Sequence, residues 1–140
     1  MEKIPEPYPK VYLYRRIVQA KIFIDKNFTD KIDLDNISDE AFFSKFHFIR
    51  LFKKIYGKTP HQYLTFVRIH EAKLMLNSGT NVSEACFAVG FESLSSFTAL
   101  FKKQTGLTPS AYGKTRSQLR RQVKEQPLQF IPGCFSKIQR

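Results

Sequence analysis

Four side chains between residues 46 and 53 could do chemistry together. On a helix turning 100° per residue, Phe46, Ile49, Arg50 and Lys53 share one side, opposite a stripe of Phe48, Leu51, Phe52 and Ile55 that must face a core. The outer side carries a guanidinium and an ammonium beside two large apolar groups that should avoid water. Its chemistry is recognition: cations meet an anionic partner, and the apolar groups want a partner that excludes water. Reaction chemistry fares poorly. His47, His61 and His70 lack metal-ligand spacing, and the chain contains no G-x-S-x-G, no P-loop and no Cys-x-x-Cys. The acids Asp33, Asp35, Asp39 and Glu40 suit a helix amino terminus and lack the loop spacing of a calcium site. No metal and no cofactor are expected.

These residues lie in a phrase that occurs twice. FIRLFKKIYGKTPHQY, residues 48–63, returns as FTALFKKQTGLTPSAY, residues 97–112, at a constant offset of 49 with nine identities in sixteen positions. Two copies are fewer than a solenoid usually needs, so two like modules joined by a rod fit better. The rod is TPHQYLTFVRIHEAKLMLN, residues 59–77. Thr59 can cap it, Pro60 suits the first helical position, Gln62 completes a capping box and Ser78-Gly79 supplies a stop. Tyr63, Phe66, Val67, Ala72, Leu74 and Met75 keep apolar groups at helical spacing. At 1.5 Å per residue the rod spans roughly 28 Å.

The remaining elements frame the two copies. Residues 1–10 carry three prolines and read as a loose arm; Leu13, Ile17, Ala20, Ile24 and Phe28 mark an amphipathic helix from Val11 to about Asn27. Asp33 caps a short helix to about Ala41, with Leu34 and Ile37 inward, and Ser44 caps the next, which Gly57 ends. Two short helices with a tight turn between them make a helix-turn-helix. The same device follows the rod: Asn81-Val82-Ser83-Glu84 reads as a capping box, 85–89 as a short helix, Gly90-Phe91 as a turn, and Ser93 as the cap of a helix to about Thr105. There Phe97, Leu100 and Phe101 point inward and Ser95, Thr98, Ala99 and Lys102 outward. Thr108-Pro109 starts a last short helix to about Lys114. The organisation is therefore an arm (1–10), a first helix-turn-helix module (11–58), a rod (59–78), a second module (79–114) and a basic and apolar tail (115–140).

Composition bounds the function. One hundred and forty residues, 42% of them hydrophobic, allow one globular unit or two small ones, without room for a large ligand-binding domain. The formal net charge is +11, and it is unevenly placed: residues 1–43 hold 7 basic and 8 acidic side chains, 44–112 hold 9 and 3, and 113–140 hold 7 and 1. A basic surface confined to the repeats and tail fits a polyanion, nucleic acid first and an anionic membrane surface second. Solubility alone is the bland alternative. Cys86 and Cys134 are the only cysteines, which argues against a disulfide framework and for an intracellular, cytoplasmic chain. No apolar run has membrane-spanning length and no secretory signal is evident.

The stretch VSEACFAVGFESLSSFTALFKKQTGLTPSAY resembles the signature of the DNA-binding domain of the AraC/XylS family of bacterial transcription regulators. SKFHFIRLFKKIYGKTPHQYL, followed by Arg68 and Ala72, resembles that family's first module and linker helix, and the likeness runs from about Ile17 to Lys114. It implies an all-α, bilobed fold of about seven helices whose two recognition helices enter successive major grooves of double-stranded DNA. It places base reading at Phe46, Ile49 and Arg50 in the first module and at Leu94, Ser95, Thr98 and Ala99 in the second. Arg50 could take guanine bidentately, while Phe46 and Ile49 meet thymine methyls. Phosphate contacts fall to Lys45, Lys53, Lys54, Lys102 and Lys103, with Arg116, Arg120 and Arg121 of the tail. Three features depart from the family: Ser38 stands where a small apolar residue is usual, Ala99 where many members carry a long polar side chain, and the tail has no counterpart. If Met1 is the natural start, the chain resembles the family's stand-alone members, with no effector domain, RNA polymerase as a further partner, and a monomeric state. The rival class is a protein-interaction module built on Phe46, Ile49 and the tail.

Overall fold

The structure is a computed structural model that describes residues 7–32, 34 and 45–125, with side chains from residue 11 onward. Among the described residues there are six helices and no strand: α1 (Pro7–Asn27), α2 (Lys45–Tyr56), α3 (Pro60–Asn77), α4 (Val82–Ala88), α5 (Leu94–Thr105) and α6 (Pro109–Glu125). The short helix expected over 33–41 falls outside this set except for Leu34, which is helical and buried. Ser38 and the caps expected at Asp33 and Ser44 also lie outside it, as does Cys134.

The rod is α3, and its start forms as its residues dictate. Thr59 Oγ1 accepts from the Gln62 amide at 3.2 Å while Gln62 Oε1 accepts from the Thr59 amide at 3.0 Å, so two otherwise unpaired donors are satisfied. Forty-nine residues on, Thr108 repeats half of the arrangement, its Oγ1 accepting from the Ala111 amide at 3.2 Å. The repeat is structural throughout. Phe48 and Phe97, Phe52 and Phe101, and Pro60 and Pro109 are buried in pairs. Gly57 and Gly106 end α2 and α5 at φ +76° and +85°, a conformation that side chains with a Cβ rarely adopt.

Two cores result. The first gathers Ile17, Ala20 and Ile24 of α1 with Leu34, Phe48, Phe52 and Leu64. The second gathers Ile69, Ala72 and Leu76 of α3 with Ala85, Cys86, Val89, Phe91, Phe97, Phe101 and Tyr112. Tyr63 and Tyr112, equivalent in the repeat, set their rings edge-on to Phe52 and Phe101 at 5.8 and 5.4 Å. Each fully buried Phe contributes about 1.5–3 kcal/mol.

Several sequence expectations shift. Helix α1 begins at Pro7 rather than Val11; proline is tolerated in a first turn, where its missing N–H had no intrahelical partner. In α3 the buried positions are Pro60, Leu64, Ile69, Ala72 and Leu76, while Phe66 and Leu74 are exposed. The rod serves two cores on different sides, so no single apolar stripe describes it. Ile55 is exposed as well, its neighbours Phe48 and Phe52 filling the first core without it. Helix α4 starts at Val82, one turn earlier than expected, because Asn81 caps it directly by accepting from the Glu84 amide at 2.8 Å. The last helix runs on past Lys114 to Glu125.

Candidate nucleic-acid interface

Helix α5 is the second helix of the second module. Ser93 caps it, its Oγ accepting from the Ser96 amide at 3.2 Å, and the Gly90-Phe91 turn delivers it from α4. Helix α2 is its counterpart through the repeat, so their outward positions correspond one to one. Lys45 and Leu94 are exposed, as are Phe46 and Ser95, and Arg50 and Ala99. Ile49 and Thr98 are half-buried. The residues expected to read bases are thus brought to matching places on two copies of one scaffold. Ile49 is divided between roles, since it packs against the first core as well as bordering the surface. Phe46, at 72% exposed, is the most exposed large apolar group among the described residues.

The cations have a less uniform arrangement. Lys53, Lys54, Lys102 and Lys103 are all exposed in the last turns of α2 and α5, where they also oppose the helix dipoles. In α6 the cations have different surroundings, and the Arg120 guanidinium lies beside Gly79. Arg116 lies over the Tyr112 ring at 5.3 Å and, one turn on, Arg120 donates to Ser117 Oγ at 3.4 Å. Arg121 instead lines a groove of about 440 Å³ with Lys114, Ser110 and Asn81. Lys58, which sequence reasoning did not single out, holds its ammonium 4.7 Å from the Phe66 ring and borders a cleft of about 630 Å³ with Leu100 and Lys103. A lysine one position past the Gly57 stop gave no periodic signal to find it by.

Among the described residues no group of histidine, cysteine and acidic side chains could hold a metal ion, and no helix is long and apolar enough to cross a membrane. The Cys86 thiol is buried, and burial pushes its pKa up, away from the reactive thiolate.

A capped helix, a glycine turn and an exposed second helix, seen whole after the rod and from residue 45 before it, define a double helix-turn-helix domain. Comparison with known proteins narrows this class. The chain belongs to the AraC/XylS family of helix-turn-helix transcription regulators, whose helix-turn-helix domain matches residues 37–116. It is 38% identical over 91 residues to the bifunctional transcriptional activator/DNA repair enzyme AdaA of Bacillus subtilis, covering 64% of this chain and 43% of that protein. It is 32% identical over 97 residues to the transcriptional activator AarP of Providencia stuartii, covering 69% of this chain and 72% of AarP. Among solved structures, the carboxy-terminal domain of AraT, a response regulator from Geobacillus stearothermophilus, superposes with a TM-score of 0.65 at 25% identity over 71% of this chain and 84% of that one. The DNA-binding domain of AdpA, solved with a target DNA, shares the fold at a TM-score of 0.65 and 22% identity, over 80% of this chain and 96% of that one. The chain spans less than half the length of AdaA, so similarity to it concerns the helix-turn-helix portion.

Proposed function

We propose that this domain binds double-stranded DNA sequence-specifically at promoters, with α2 and α5 in successive major grooves. The observation that carries this is that the repeated scaffold holds two exposed helices, α2 and α5, with corresponding outward positions and exposed lysines in the last turn of each. The rod supports it: 18 residues give roughly 27 Å, near the ~34 Å between equivalent grooves once helix widths are added. Arg50, Phe46 and Ile49 read bases from α2; Leu94, Ser95, Thr98 and Ala99 face them from α5. Lys45, Lys53, Lys54, Lys102, Lys103, Arg116, Arg120 and Arg121 contact phosphates. One chain carries both recognition helices, so a monomer suffices to engage both halves of a site, and RNA polymerase is the partner it meets at a promoter.

Two measurements test this. Affinity for random duplex should fall steeply with salt, since each neutralised phosphate releases counterions. Selection of bound fragments from genomic DNA should recover a bipartite site with halves about one helical turn apart. Affinity indifferent to salt would instead support a protein-interaction module built on Phe46.

A further inference from the structure

The two modules are joined by more than the rod. Where α1 ends, residues 28–30 turn beside α3, and Phe28 packs against both hydrophobic cores. Its carbonyl accepts from Arg68 Nε at 2.7 Å, and the Asp30 carbonyl accepts from Arg68 Nη2 at 2.9 Å. Both bonds run from the rod to the first module's turn. The same guanidinium lies 5.8 Å from the centre of the Phe91 ring, in the second module. Beside it Gly90 approaches so closely that a Cβ there would sit 2.8 Å from the Phe28 oxygen, 2.9 Å from the Thr29 oxygen and 3.1 Å from Arg68 Nε. One guanidinium and one bare backbone therefore seat the end of α1 on the α4–α5 turn.

We infer that Arg68, with the Phe28–Asp30 turn and Gly90, clasps the modules in one relative orientation and thereby sets the half-site spacing that the protein accepts. The inference rests on the proposed DNA-binding function and deepens it. The faces of α3 that enter the two cores set a first, coarse orientation of the modules, but every one of those contacts lies on the rod itself. The clasp lies off the rod's axis and removes the remaining roll. Arg68 is a positioning residue: it acts through the placement of α2 and α5, and its planar fork holds Nε and Nη2 on two carbonyls in a fixed geometry that a lysine's single, rotatable ammonium does not reproduce.

The test joins two measurements. In the first, wild type, Arg68→Ala and Arg68→Lys are titrated against the selected site with zero, one or two base pairs inserted between its halves. Each inserted pair moves one half by about 3.4 Å and roughly a tenth of a turn. Wild type should lose at least about tenfold on a two-pair insertion, Arg68→Ala under about threefold, and Arg68→Lys an intermediate amount, by analogy with the cost of one or two mismatched pairs. In the second, spin labels at Gln19 on α1 and Gln104 on α5 report inter-module distances without DNA. The distribution should be narrow in wild type and broad in Arg68→Ala. A loss of affinity equal at every spacing, or an unchanged distance distribution, overturns the inference. If wild type binds no DNA, the proposed function fails, and the spin labels still judge the clasp.

Discussion

At the level of single residues, the two recognition helices carry one geometry and unlike side chains. Arg50 presents a guanidinium where Ala99 presents a methyl, and Phe46 a ring where Ser95 has a hydroxyl. Sequence reading through α2 should therefore dominate. Arg50→Ala should cost about 1–3 kcal/mol of binding and relax preference at one base pair, while Ser95→Ala with Thr98→Ala costs less. Binding to a library randomised in each half-site measures this, and greater stringency under α5 would refute it. Exposure separates two neighbours that the 100° rule put on the same face. Phe46→Ala should leave the melting temperature unchanged while weakening DNA binding. Ile49→Ala should lower stability by about 1–2 kcal/mol, because that side chain packs in part against the first core. A melt of both variants beside their DNA titrations decides. The outward face was legible in the sequence because period fixes direction, but the depth of Ile49 and Ile55 depends on neighbours outside the helix, which no single-helix pattern carries.

At the level of elements, caps were legible and ends less so. Thr59, Asn81 and Ser93 announce helix starts through chemistry confined to four residues. The end of α6 is hard to place because the apolar register is lost after Lys114, while the basic run Ser117 to Lys124 suits a helix and does continue it to Glu125. Gly113 lies mid-helix with negative φ, and a Cβ there would meet Leu76 Cδ2 at 4.0 Å, ordinary contact. Gly113→Ala should therefore stabilise the domain by roughly 0.5–1 kcal/mol through backbone entropy alone, readable as a raised melting temperature. A lowered one would mean the contact with α3 is tighter than 4.0 Å suggests. Helix α1 is tied to the rod by Asp25, which accepts from the Tyr63 hydroxyl at 2.6 Å and from the Lys21 ammonium at 2.7 Å. The bond to Asp25 raises the Lys21 pKa above its ordinary 10.5, against a smaller desolvation. Burial first, and then the same carboxylate, raise Tyr63 above 10.0. Both groups thus hold protons more tightly when folded. Their contribution is complete below those ordinary values and disappears as pH rises through the higher folded ones. Melting temperature should fall above about pH 10 more steeply in wild type than in Asp25→Asn, as a pH series of melts would record.

At the level of the whole molecule, the 49-residue repeat made the two modules legible, because nine paired identities mark one scaffold used twice. The joint between them was not legible. Phe28 reads as the last member of the first helix's apolar stripe, and Arg68 stands out only through the linker-helix resemblance, which gives it no partner; only the fold brings them to Gly90. That joint bears on how the domain unfolds. Two small cores on a flexible rod would melt separately. Here Phe28 packs on both, α3 contributes Leu64 to one and Ile69, Ala72 and Leu76 to the other, and Arg68 spans the gap. Losing either core exposes apolar surface of the other, so the described domain should unfold in a single transition. Phe97→Ala empties a fully buried site in the second core at a cost of about 3–5 kcal/mol, a large part of what a domain of this size holds in total. Hydrogen exchange should then show α1 and α2, in the first module, losing protection together with α5 and by the same free energy. If α1 and α2 keep wild-type protection while α5 opens, the modules fold independently, and the single-transition view fails.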